Sequence, residues 1–113
     1  MRNMTQGPLD VPKAYKLLKL RADGTLGPLF INARQRIPLD VWLKAECHPT
    51  KGYALRPGWH AAPQPFAPHL TLRGRIWCEV ELRDAQPLVR PAVQGGQWWI
   101  ANWMRVVRVM EAA

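Results

Sequence analysis

Apolar and polar residues alternate most regularly after Gly74. Ile76, Cys78, Val80 and Leu82 fall on one side of an extended chain, and Trp77, Glu79 and Glu81 on the other. That period of two predicts a strand with one face against a core. A connector rich in Pro, Gln and Gly follows over residues 85–96. QWWIAN and MRVVRVM then read as one long bent strand, or as two strands interrupted near Asn102 and Trp103. Nearer the start, the apolar runs AYKLLKL (14–20) and LGPLFI (26–31) flank Asp23-Gly24, a hairpin signal because glycine accepts the positive φ of a tight turn. Pro28 puts the second strand at a sheet edge or a bulge. A helix over residues 12–20 is the competing reading, since Leu17, Leu18 and Lys19 are good helix formers. Pro38, Asp40 and the spacing of Leu39, Trp42 and Leu43 predict a short helix ending near Glu46.

Residues 51–72, KGYALRPGWHAAPQPFAPHLTL, have no helical period and contain four prolines, which fix φ and remove backbone donors. A stiff loop is expected there, holding Tyr53, Arg56, Trp59, His60 and His69 as candidate ligand-binding residues. Residues 1–13 are polar and proline-containing and read as a flexible arm. The remainder, residues 14–113, reads as a single α+β domain: a mainly antiparallel sheet, one short helix and long Pro-rich loops.

Composition narrows the picture. A chain of 113 residues can bury one core, and a 48% hydrophobic content with six tryptophans does not fit a disordered protein. No apolar run is long enough to span a bilayer and the N-terminus lacks an apolar signal core, so a cytoplasmic protein without membrane contact is expected. Two cysteines, Cys47 and Cys78, are too few for a disulfide scaffold and read as free thiols.

The formal charge of +8, spread along the chain, favours a basic surface that attracts phosphate polyanions or an acidic protein. Arg21, Arg34, Arg36, Lys51, Arg56, Arg73, Arg75, Arg90, Arg105 and Arg108 are candidate phosphate contacts, with Lys51, Arg73 and Arg75 foremost. Trp59, Trp98 and Trp99 are candidate stacking platforms. Basic and aromatic residues also occupy sheet faces that bind nothing. Cys47, His48, His60, His69 and Cys78 do not match the paired spacing of zinc ligands, and no metal or other cofactor is expected. A dyad of Cys47 with His48 or His60 would need spatial contact, and the chain contains no serine to act as nucleophile.

The order of AYKLLK, a Gly52-Tyr53 turn, GWHAAPQPFAPHL and the strand GRIWCEVEL resembles compact members of the ADP-ribosyltransferase-like fold. The blocks GPLF, HPTKG, RPGWH and APHL resemble small proteins of phage and prophage. The first resemblance implies a split antiparallel sheet whose cleft accepts NAD or a related nucleotide. Gly58-Trp59-His60 would lie on the cleft wall, with His60 on a ribose hydroxyl, Tyr53 or Trp59 on a ring and Arg56 on a phosphate. Transferases of that fold place a glutamate late in the chain to stabilise an oxocarbenium-like state. Here Gln94, Gly95, Gly96 and Gln97 stand in that region, so Glu79 or Glu81 would have to substitute. The leading expectation is therefore a small basic phage-type protein that binds nucleic acid, or a host protein of nucleic-acid defence, in the host cytoplasm. The alternative is an ADP-ribosyltransferase-like enzyme or a binder of NAD or a related nucleotide.

Overall fold

A computed structural model describes residues 9–29, 34–45 and 58–110. Its strands are β1 (Leu9–Leu20), β2 (Leu26–Gly27), β3 (Trp42–Lys44), β4 (Trp59–Ala61), β5 (Arg75–Val89) and β6 (Gln97–Val109). They form one antiparallel sheet in the order β2-β1-β5-β6-β3, with β4 also on β6. Among the described residues the helical content is a single 3-10 turn, Ala92–Gln94. The sheet is mainly antiparallel as expected, but it is continuous rather than split, and the α+β expectation loses its helix.

The expected helix near residues 38–46 is replaced by β3, whose Trp42, Leu43 and Lys44 pair with Arg105, Met104 and Trp103. One turn of apolar spacing cannot repay helix nucleation, whereas the outer edge of β6 offers ready backbone partners. Asp40, held at φ 61°, also breaks any right-handed helical path. β1 begins at Leu9, opposite Ala85, so residues 9–13 of the expected arm are strand. β5 likewise runs on to Val89, through the first part of the expected connector.

The hairpin over Asp23-Gly24 forms, with Leu20 opposite Leu26 and Gly24 at φ 86°. Asp23 Oδ1 accepts hydrogen bonds from Thr25 Oγ1 at 2.6 Å and Thr25 N at 3.0 Å, which hold its carboxyl down to about 2. Arg21 reaches back over the hairpin and donates to the carbonyls of Leu26 and Gln35, both at 2.8 Å. Its guanidinium fills the space beside Gly27, where a Cβ would lie 2.6 Å from Arg21 Cζ.

The sheet curls until its ends meet. Ala62, just after β4, exchanges two backbone hydrogen bonds with Tyr15 of β1, at 2.8 and 2.7 Å. β1, β5, β6 and β4 thus follow one another around a ring, and Ile37 and Leu39 tie β2 and β6 into its other end. Buried Leu18, Val80, Leu82, Met104 and Val106 fill the interior. Leu82 and Ala85 are both buried although they are three apart, as are Ala101 and Met104. Strict alternation forbids that. Asp84, at φ 53°, supplies the break, and opposite it the ladder skips Asn102, so both long strands turn a corner and exchange faces there. A smaller cluster of Ala62, Ala67 and Trp98, flanked by Leu70, Trp77 and Leu88, packs outside the ring.

Candidate nucleic-acid interface

Below the corner, register fixes which side chains share the outer face. Glu81 lies opposite Arg105, and Arg105 opposite Trp42; Arg83 lies opposite Trp103, and Trp103 opposite Lys44. Leu82 and Met104, between these rungs, point inward and are buried. Two adjacent rows across β5, β6 and β3 therefore present Glu81, Arg105 and Trp42, then Arg83, Trp103 and Lys44. Trp42 and Trp103 are half-buried, and Arg83 and Lys44 are exposed. The Arg83 guanidinium sits 4.0 Å from the centre of the Trp42 ring and that of Arg105 sits 5.4 Å away, both within cation–π range.

The carboxylates on this face are engaged. Arg105 Nη2 pairs with Glu81 Oε1, and on the neighbouring rung Arg108 Nε donates to Glu79 Oε1 at 3.1 Å. Glu79 and Glu81 thus form cross-strand ion pairs, the ordinary use of opposite charges facing one another on a sheet. Neither stands ready as the lone carboxylate that an oxocarbenium-like state would need. Four cations, Arg83, Lys44, Arg105 and Arg108, share the face with these two carboxylates and outnumber them.

The residues singled out from sequence are dispersed. Tyr53, Arg56 and Lys51 lie outside the described residues, as do Cys47 and His48. Trp59 is only 7% exposed and donates through Nε1 to Leu43 O at 2.9 Å. Trp98 is 5% exposed and donates to Gln94 O at 2.7 Å. Both are pinned in place, which overturns their expected role as stacking platforms: each ring is covered on folding and its polar edge is satisfied by backbone. Trp99 is half-buried and packs against the core. Arg73 is exposed at a turn, while Arg75 donates to Thr71 O at 3.1 Å, and Arg21 is a strut of the β1–β2 hairpin. Buried Cys78 has its thiol pushed up to about 11 by desolvation, so it is a small core hydrophobe and a poor nucleophile.

His60 and His69 are linked through Arg90, near the seam where β4 meets β1. His60 is half-buried; its Nδ1 meets Arg90 Nη2, and its carbonyl accepts from Lys16 Nζ at 2.6 Å. His69 is exposed and sets its ring edge-on to Trp98, 5.8 Å between centres, while the Arg90 guanidinium lies 5.0 Å from the same tryptophan. Lys16 has no prominence in the sequence, because it is an ordinary polar position in a short strand. Its spacing from Ala14 and Leu18, both fully buried, was the available signal that it points inward. Burial, and then Arg90, lower its pKa to about 8. Sequence spacing points away from Trp42 and Trp103, since the first falls in the expected helix and the second at the expected interruption between strands.

A shallow cleft of about 160 Å³ at the corner is lined by Asp84, Gln86, Ile100, Ala101 and Asn102. It is smaller than the ~300–1,000 Å³ typical of pockets that enclose small-molecule ligands. Among the described residues, His, Cys, Asp and Glu side chains do not gather in groups of three that could hold a metal ion. No helix among those residues is long and apolar enough to cross a membrane. Comparison with protein-family models, with curated proteins and with solved structures finds no match to this chain.

Proposed function

We propose that this chain is a binding protein for single-stranded nucleic acid, which lies across the outer face of β5, β6 and β3. Unpaired bases stack on Trp103, and on Trp42 or the guanidinium planes beside it. Phosphates meet Arg83, Lys44 and Arg105. The observation that carries this reading is the two-row array itself, in which two partly exposed tryptophans alternate with three cations on an open sheet face. Aromatic rings between cations suit single strands because every base has a face to stack, while a duplex keeps its bases covered. The formal charge of +8 supports rapid encounter with a polyanion. Phage or prophage origin belongs to the same proposal and rests on the resemblance of the GPLF, HPTKG, RPGWH and APHL blocks alone. Binding is preferred to turnover because Glu79 and Glu81 are held in ion pairs.

Fluorescence anisotropy with a labelled oligo-dT tests this. With about three phosphates neutralised, affinity falls roughly tenfold to twentyfold between 50 and 200 mM salt. Trp103→Ala weakens binding by about 1–3 kcal/mol, the usual worth of one stacked base. Arg83→Gln weakens it and flattens the salt dependence. Retention of full affinity by both variants, or no binding at 50 mM salt, rejects the reading.

A further inference from the structure

We propose that the cleft at the corner of β5 and β6 reads the hydrogen-bonding edge of one base of the bound strand, and selects a base with an exocyclic amino group, cytosine or adenine, over thymine or uracil. The inference rests on the single-strand reading and names the strands that face prefers. The ladder puts the cleft on the same side as the stacking rows. Leu82 with Met104 and Ala85 with Ala101 are the buried rungs on either side of the corner. Arg83 with Trp103 and Gln86 with Ile100 are the rungs that face out. Asp84 and Asn102, which break the alternation, lie between those two outward rungs, and with Gln86, Ile100 and Ala101 they line the cleft of about 160 Å³. At about 3.3 Å per residue, the step from Arg83 to Gln86 spans at most roughly 10 Å. A nucleotide beside the one stacked on Trp103 can therefore set its base at the cleft.

The polar groups of the cleft are uncommitted. Elsewhere on β5, Glu79 and Glu81 are held by Arg108 and Arg105 across the ladder. The side chains of Asp84, Gln86 and Asn102 make no hydrogen bond or ion pair with another described residue. Nor does the corner itself require an acid: φ at 53° is the left-handed region, where glycine or asparagine sits at least as easily as aspartate. A carboxylate repels phosphate, so on a face that collects a polyanion it costs affinity unless it meets a donor. Bases supply one. The Asp84 carboxylate accepts from the exocyclic amino group of cytosine or adenine, and the carboxamides of Gln86 and Asn102 donate to the ring nitrogen beside that amino group. Thymine and uracil turn a carbonyl oxygen to the same carboxylate, where no donor stands between the two acceptors. Half-buried Ile100 gives the face of the base an apolar wall.

Fluorescence anisotropy of the full chain with labelled oligo-dC, oligo-dA, oligo-dT and oligo-dU of one length, at one salt concentration, tests the preference. Oligo-dC is expected to bind about fivefold to tenfold more tightly than oligo-dT, the low end of what a direct base contact gives. Oligo-dA also exceeds oligo-dT. Oligo-dU follows oligo-dT, which removes the thymine methyl group as the cause, and comparing pyrimidines with one another holds stacking strength nearly equal. Asp84→Asn keeps the side-chain shape and tolerates the positive φ. It brings oligo-dC and oligo-dT to within about twofold of each other, because an amide can turn either its oxygen or its nitrogen to the base, and it strengthens oligo-dT by removing a charge that repels phosphate. Gln86→Ala, at an exposed position, weakens oligo-dC by about threefold and leaves oligo-dT unchanged, the loss of one hydrogen bond to the base. Arg83→Gln weakens both strands alike. Equal affinity of the wild type for oligo-dC and oligo-dT, or a preference that survives both Asp84→Asn and Gln86→Ala, overturns the inference and leaves the single-strand reading standing. Failure of all four strands to bind at 50 mM salt removes both.

Discussion

Gly58→Ala destabilises the domain by about 2–4 kcal/mol, from backbone strain and overpacking together. Gly58 holds φ at 147°, where side chains are rarely tolerated. A Cβ there would lie 2.8 Å from Ile100 Cδ1 and closer still to Cγ1. Ile100 is β-branched and stiff at χ1, and it stands opposite His60 in the β4–β6 ladder, so it cannot swing aside freely. The loss corresponds to roughly 10–20 °C in melting temperature for a domain of this size. Thermal denaturation of Gly58→Ala alone and combined with Ile100→Ala separates the two causes. The second change removes the collision and leaves the backbone strain, so the pair is coupled rather than additive. A melting temperature within 2 °C of wild type for Gly58→Ala would show that neither effect operates at this position.

Lys16→Met stabilises the fold at neutral pH, by about 2 kcal/mol after allowance for the partial exposure of the lysine. The sign follows from the direction of the shift. Folding lowers the Lys16 pKa from 10.5 to about 8, so between those values the unfolded chain holds a proton that the folded chain has released. Wild-type stability therefore climbs as pH rises through that window, and the full cost of the buried ammonium stands below pH 8. Methionine keeps much of the side-chain length and carries no charge, at the expense of the hydrogen bond to His60 O. Denaturant unfolding of both proteins between pH 6 and 11 should give curves that lie apart at pH 7 and converge near pH 10.5. A constant separation across the range would mean that Lys16 titrates normally.

The two predictions share a lesson about what local pattern reveals. Gly58, Trp59 and His60 are recognisable as a unit, and they do form a strand entry, but the cleft wall that the ADP-ribosyltransferase-like resemblance implies for Trp59 is not where it lies: it is a core residue. An aromatic beside a histidine in a proline-rich stretch looks available for stacking. Only the ladder to Ala101 turns the ring inward and gives its indole N–H the carbonyl of Leu43. The same limit hid Lys16. A lysine two residues from an alanine and a leucine is ordinary on a solvated strand, and it becomes a partly buried charge only when the sheet curls over it.

Charge was legible in amount and illegible in place. The excess of arginine is plain, yet Arg21 is spent on backbone carbonyls of the hairpin, Arg75 on Thr71 and Arg108 on Glu79 across the ladder, while Arg105 is shared between Glu81 and the Trp42 ring. Arg83, absent from the sequence-based candidates, is the cation that stands over Trp42. Which arginine is a strut and which faces a ligand depends on cross-strand neighbours that sequence spacing does not supply.

What the chain determines by itself is local. Alternation over residues 76–82 makes β5 a strand with Cys78, Val80 and Leu82 inside, and Asp23-Gly24 makes a hairpin, because side-chain direction and turn geometry depend on adjacent residues. What only the tertiary structure decided is non-local: β3 as a strand on β6, the corner at Asp84, the closure of Ala62 on Tyr15, and the bonds of Lys16 and Arg90 to His60 beside that closure. Each depends on backbone partners and curvature supplied by residues far along the chain, and a strand's two edges carry no mark of which neighbour will take them.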